Sequence, residues 1–200
     1  VLQIQAKISK EELNELPQGS FVGKIIVIEN ILDLQKVIPF LRHQKELGFD
    51  TETRPAFKKG RVNMVALLQI STAKEAFLFR ISKMGLPAVL ADILADESII
   101  KVGAAIRDDI KALQKITPFI PGGFVELQNF VKQFGIEDAG LQKLSGNILG
   151  FKISKGQRLS NWENAELTEA QQIYAATDAW VGLEIFTRLK INGFKNETGV

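Results

Sequence analysis

The stretch Gly48-Phe49-Asp50-Thr51-Glu52-Thr53 constrains this chain more than any other. It follows an apolar, helix-like run and leads into a basic loop. In an extended chain residues i and i+2 project to one face, so Asp50 and Glu52 point together and Thr51 points away. Neighbouring carboxylates repel, and both stay ionised only at a cost. A divalent cation removes that cost, and hard oxygen ligands suit Mg²⁺ or Mn²⁺. A lone D-x-E is more often a polar strand end meeting water. The positions of the other carboxylates decide between the two readings.

At 200 residues and 46% hydrophobic content the chain can bury a full core as one domain, with its body over about 20–190 and a frayed tail expected from 191. The net charge of +2 does not by itself indicate a nucleic-acid partner, so local clustering of cations carries more weight. There is no cysteine, which excludes disulfides, zinc–thiolate centres and cysteine nucleophiles and is compatible with a reducing cytosol. No apolar run approaches membrane-spanning length, and the first residues lack a charged-then-apolar signal pattern. A cytoplasmic protein without a membrane partner is therefore expected, with an initiator residue and a short leader taken to precede Val1.

Ser9-x-x-Glu12 has the form of a capping box, and Pro17 closes the short helix after it. Phe21–Ile28 is β-branched and reads as a strand. Ile31–Arg42 has apolar residues at helical spacing. Strands are expected over Glu46–Glu52, Val62–Ser71 and Ala76–Ile81, a set able to form a meander. A helix over Pro87–Leu94, a short strand over Ile99–Gly103 and a helix over Ile106–Leu113 follow. Phe124–Leu127 reads as a short strand, then come a helix to about Phe134 and another over Leu141–Leu149. Phe151–Asn164 is basic and irregular, and Thr168-x-x-Gln171 opens a long last helix to about Leu189. Strands early and helices late argue for an α/β fold, a mixed sheet flanked by helices.

Tyr174 and Asp178 are four apart on the last helix, and their face continues as Val181 and Ile185, so it points inward. An inward carboxylate needs a partner. On the middle helix, Asp109 falls roughly 60° from Ile106, beside the apolar stripe, whereas Asp108 falls roughly 160° away on the solvent side. A phase error of one residue would exchange the two. His43, the one histidine, precedes the acidic strand and reads as a surface or core residue. Gly19–Lys24 ends like a phosphate loop but lacks one intervening residue and the following Ser or Thr.

An extended D-x-E, a helical Asp and a helical Tyr-x-x-x-Asp, in that order, resemble the DEDDy group of 3′–5′ exonucleases on a ribonuclease H-like fold. The matching segments are Phe49-Asp50-Thr51-Glu52, Val102-Gly103 running to Asp108-Asp109, and Tyr174-Ala175-Ala176-Thr177-Asp178. Val65–Gln69, Ser160-Asn161-Trp162 and Leu167-Thr168-Glu169 support the resemblance, which runs from about Ile25 to Leu189. Within the group the pattern is most similar to Werner-type exonuclease domains, with ribonuclease D next. Asp108 departs from the small residue that often precedes the motif-two aspartate, and Arg54 departs just past the first motif.

The resemblance implies release of nucleoside 5′-monophosphates from a nucleic-acid 3′ end by a two-metal-ion mechanism, with two Mg²⁺ or Mn²⁺ ions. It implies that Asp50, Glu52 and Asp178 hold one ion, that Asp50 bridges to the second, and that Asp109 reaches the second through water. Tyr174 would orient the attacking water. Substrate contacts are expected from Thr51, from Arg54, Lys58, Lys59 and Arg61 with Phe57 among them, from Lys152, Lys155 and Arg158, and from Trp162, which reads equally as core packing. DNA is the favoured substrate. RNA trimming, or an inactive nucleic-acid-binding module, are the alternatives.

Overall fold

A computed structural model describes residues 4–54 and 64–197, with backbone alone beyond 191. Chain order is α1 (Lys10–Glu15), β1 (Lys24–Ile28), α2 (Ile31–Arg42), β2 (Glu46–Thr53), β3 (Val65–Ser71), β4 (Glu75–Phe79), α3 (Ile81–Met84), α4 (Ala88–Ala95), β5 (Ile100–Gly103), α5 (Arg107–Gln114), β6 (Phe124–Glu126), α6 (Leu127–Phe130), α7 (Leu141–Leu144) and α8 (Glu169–Glu197). Six strands form one mixed sheet in the order β1-β4-β3-β2-β5-β6. The expected meander is present: β2 pairs antiparallel with β3, and β3 with β4. The remaining pairings, β1 with β4, β2 with β5 and β5 with β6, are parallel.

Alternation along the strands divides the core into two layers. One face carries Phe49, Ile70, Phe77 and Phe79, packed with Leu34, Ile38 and Leu41 of α2 and Leu90, Ile93 and Leu94 of α4. On the other lies α8, whose Val181, Ile185 and Leu189 join Val102, Leu127, Leu144 and Ile148. All seven residues of β3 are buried, as a central strand covered on both faces requires.

Helix α8 sits unusually close to the sheet. Its inner surface is Ala175, Ala176 and Ala179, all fully buried. Beneath it, β2 presents Gly48, where a Cβ would overlap the Ala179 carbonyl oxygen and Ser71 Oγ. Gly103 on β5 is similarly tight against the Phe49 carbonyl. Small residues on both partners let helix and strand backbones approach, and this sets the distance between Asp178 and the β2 acids.

Several expectations need correction. Helix α8 does not stop near Leu189; it continues to Glu197. Ile81 does not end a strand but opens the one-turn helix α3. Leu141–Leu149 is not uniformly α-helical: after Leu144 it continues as a π turn, Ser145–Leu149, ending on Gly150 at φ 81°. Val131–Phe134 is a 3₁₀ turn. The capping box at Ser9 forms as expected, with Glu12 N donating to Ser9 Oγ at 3.1 Å and Ser9 N to Glu12 Oε2 at 2.8 Å.

Because the Gly48 overlap is with backbone as well as side chain, Gly48→Ala should destabilise the protein by about 1–3 kcal/mol. Urea unfolding at fixed pH measures this; an unchanged midpoint would show that α8 can retreat from β2 freely.

Candidate active site

Asp50 and Glu52 project from β2 to the face that α8 covers, and both are half-buried. Burial raises the Asp50 carboxyl well above its ordinary range, and the charges of Asp178, Glu52 and Asp109 raise it further. The Thr51 amide donates to Asp50 Oδ1 at 2.9 Å, opposing that rise and fixing the carboxylate's orientation. For Glu52, burial and then the charges of Asp178 and Asp109 push the pKa up to about 8, with the Arg158 guanidinium pulling it down. Burial pushes Asp178 to about 7, with the Tyr174 hydroxyl acting the other way. The mutual repulsion makes the four acids, from β2, α5 and α8, electrostatic neighbours around Asp50.

Asp109 reaches this group from α5. Thr51, buried on the opposite face of β2 from Asp50, donates its hydroxyl to Asp109 Oδ1 at 2.5 Å. Burial raises Asp109, and this hydrogen bond opposes the rise. Asp108 is exposed and lies 3.6 Å from Lys111 Nζ, so helical phase assigned the two aspartates to the correct sides. The turn that launches α5 holds Ala105 at φ 61°, a left-handed conformation costly for a residue with a Cβ. It is secured by Glu126, whose Oε1 and Oε2 accept the Ala105 and Ile106 amides at 2.9 Å each. Sequence reasoning missed Glu126, because only the β5–β6 pairing brings it there; the polar residue closing a strand was its sole signal.

Tyr174 stands beside Asp178. Burial, followed by the charges of Asp178 and Glu52, pushes its phenol far above the ordinary value, so it keeps its proton at any physiological pH. Behind it lies Trp162, ring centroid 6.0 Å away. Trp162 is fully buried with Ala66, Leu67, Leu78 and Ala175. Its reading as a direct substrate contact is corrected accordingly: the packing alternative holds, and the indole backs the tyrosine. The Ser160–Ala165 stretch that carries it is tied down at both ends. Gln171 Nε2 donates to Ser160 Oγ at 2.7 Å and to the Asn161 carbonyl at 3.2 Å. Fully buried Arg80 donates to the Asn164 carbonyl and, at 3.0 Å, to Glu29, and Lys83 donates to the Ala165 carbonyl at 2.7 Å.

Of the expected substrate contacts, Arg54 is exposed and pairs with Glu163 at 3.2 Å. Lys58, Lys59, Arg61 and Phe57 lie outside the described residues. Arg158 is exposed and close enough to lower Glu52. A cleft of about 710 Å³ opens at Tyr174 and Asp178 and is lined by Lys143, Lys152, Lys155 and Arg158, among others. His43 ends α2, exposed, with Nδ1 2.6 Å from the Pro39 carbonyl.

The donor set suits a hard divalent cation: four carboxylates, no thiol or imidazole, and a shared repulsion that positive charge would relieve. Among the described residues no three of them converge as a ready-made ligand set.

A family model described as 3′-5′ exonuclease matches residues 25–192. The chain belongs to the 3′–5′ exonuclease family. It is 37% identical over 196 residues to the mouse "bifunctional 3′-5′ exonuclease/ATP-dependent helicase WRN", covering 92% of this chain and 14% of that protein. It is 28% identical over 157 residues to the ribonuclease D of Gluconacetobacter diazotrophicus, covering 76% of this chain and 39% of that one. The chain thus spans a minority of the length of both relatives. In fold it is similar to the Aedes aegypti Nibbler EXO domain, with TM-score 0.78 and 23% identity over 88% of this chain and 93% of that one. The exonuclease-family sheet and helices are the ones described above. No helix among the described residues is long and apolar enough to cross a membrane.

Folded, Glu52 and Asp178 keep protons up to about pH 8 and about pH 7; unfolded, they release them near 4.5 and 3.8. The folded chain binds more protons across that interval, so raising the pH favours unfolding. The Tm of the chelated protein should therefore fall between about pH 5 and pH 8. Added Mg²⁺ or Mn²⁺ should restore it more at pH 8 than at pH 5, as a thermal-shift series would read.

Proposed function

We propose that this exonuclease shortens DNA from the 3′ end, releasing nucleoside 5′-monophosphates with the help of two divalent ions. The supporting observation is the grouping of Asp178, Glu52 and Asp109 around half-buried Asp50 with Tyr174 at its side. Asp50, Glu52, Asp109 and Asp178 would hold the ions. When bound, the ions supply charge to neutralise the phosphodiester and a water acidic enough to act as nucleophile.

The chain's own groups do the rest. Tyr174 keeps its proton, so it is not a base; its hydroxyl orients the attacking water beside Asp178. Trp162 stiffens Tyr174 from behind. Thr51 fixes Asp109, rather than being free for the substrate. Arg158, with the cations of the neighbouring cleft, would bind phosphates without reading sequence. The Werner-type pattern favours DNA, whereas the likeness to a ribonuclease D supports RNA as the second reading.

Incubating 5′-labelled DNA and RNA strands with Mg²⁺ or Mn²⁺ tests this directly. A ladder shortening from the 3′ end is expected, faster on DNA, and EDTA should stop it. Asp50→Ala and Asp178→Ala should each abolish it, and Tyr174→Phe should slow it while metal binding by calorimetry stays nearly intact. Cleavage surviving both alanine variants would refute the proposed ligands; strand binding without cleavage by the unaltered protein would favour an inactive binding module.

A further inference from the structure

The cleft beside Tyr174 and Asp178 has a wall that the family match does not include. Residues 25–192 carry the match, yet Lys10, Leu13 and Asn14 of α1 also line the cleft. These stand at i, i+3 and i+4, one face of a helix. The acidic residues of the same helix, Glu11, Glu12 and Glu15, do not line the cleft, and Glu12 is engaged by the capping box. The face turned toward the cleft therefore carries Lys10 as its one charge, although the helix as a whole is acidic. The same cleft is lined by Lys143, Lys152, Lys155 and Arg158. Lys143 and Lys152 are tied to Asp138 at 3.3 Å and to the Asn14 carbonyl at 2.5 Å. Lys10 is exposed and has no ion-pair partner among the described residues.

The wall is built into the fold. Gln5 exchanges both backbone hydrogen bonds with the buried Asn147 side chain, at 2.9 and 2.7 Å. Buried Asp138 accepts the Ile8 amide at 2.8 Å. The Lys152 amide donates to the Pro17 carbonyl, and Gly19 to that of Lys152, both at 2.9 Å. Ile8, Leu13 and Leu16 close over Gly146 of the π turn, where a Cβ would collide with Leu13 and press on the other two. Residues 5–19 thus fix the position of Lys10 relative to Asp178.

We propose that this N-terminal segment belongs to the substrate site: α1 and the Lys152–Arg158 loop flank the single strand leading to the 3′ end, and Lys10 holds one of its phosphates. The cleft falls in the size range, about 300–1,000 Å³, that encloses nucleotide-sized ligands. Its cations alternate with Leu13, Leu141 and Ile153, apolar surface for sugars and base faces. An acidic peptide would need the cations but would have no reason to end at a cluster of four carboxylates. A strand carrying its scissile phosphodiester to that cluster does. The inference rests on the exonuclease reading for the direction of the strand, though not for its binding.

The test measures binding of a labelled single-stranded oligonucleotide by fluorescence anisotropy in EDTA, at several salt concentrations, for the full chain, Lys10→Ala, Lys10→Glu and Lys36→Ala. Lys36 pairs with Asp33 on α2 across the sheet and serves as control. Losing one phosphate contact should lower the slope of log affinity against log salt by about 0.7 and weaken every sequence alike. Lys10→Glu should weaken binding more than Lys10→Ala, and Lys36→Ala should match the parent. Equal slopes and affinities for parent and both Lys10 variants would overturn the proposal, as would a parent that binds no strand. Hydrolysis of the p-nitrophenyl ester of thymidine 5′-monophosphate by the parent, with Mn²⁺, is read separately: its absence counts against the exonuclease reading and leaves the binding result standing.

Discussion

The close seat of α8 on β2 is the constraint on which the site depends. Helix and strand normally keep apart by the size of their side chains. Here Ala175, Ala176 and Ala179 face Gly48, and a single Cβ would put the strand into the helix backbone. Only with that spacing does a carboxylate one turn from Ala175 influence two carboxylates on the strand. The opposing requirement is electrostatic. Burial raises each of the acids, with neighbouring charges adding to the rise at Glu52, so Glu52 reaches about 8 and Asp178 about 7. The packing thus forces together what charge would separate, and a cation is the natural means of reconciling them.

Asp109 answers to a different set of contacts. It arrives from the helix after β5, whose first turn is bent through Ala105 and held by both oxygens of Glu126. Its own carboxylate is restrained by Thr51 from the opposite face of β2. Two elements therefore decide where Asp109 can go, neither of them the helix that places Asp178. Separate mounting of the acids on β2, α5 and α8 lets each be adjusted by its own neighbours.

What could be read in advance follows from the range of the interactions involved. The meander, the capping box and the bounds of α2 depend on alternation, caps and helical spacing, all local, and each was legible. So was the inward side of α5, because Asp108 and Asp109 lie on opposite sides of a stripe set by Ile106, Ile110 and Leu113. Trp162 was ambiguous because an indole serves equally as wall or as core; only the packing of Leu67, Leu78 and Ala175 around it decides. Glu126 and the cleft-facing side of α1 were invisible, since each acquires its role from a partner far away in sequence. The π turn escaped notice for the same reason: Gly146 has that environment only because Ile8, Leu13 and Leu16 fold over it.

The loop carrying Trp162 shows how the irregular part of such a chain can be as fixed as its sheet. Buried Arg80 reaches the Asn164 carbonyl while Glu29 balances its charge at 3.0 Å, and Lys83 shares that carboxylate at 2.8 Å. A guanidinium with no exposure would be a liability without such partners. With them it becomes a rivet between the β4 end of the sheet and the loop, while Gln171 grips the other end of the loop from the first turn of α8. The aromatic backing of Tyr174 is thereby referenced to the sheet and to α8 at once, the same two elements that position Asp50 and Asp178. In the proposed reaction the Tyr174 hydroxyl would gain little from a low pKa; it would gain from being held still relative to the acids, and this arrangement of rivet, loop and indole supplies that.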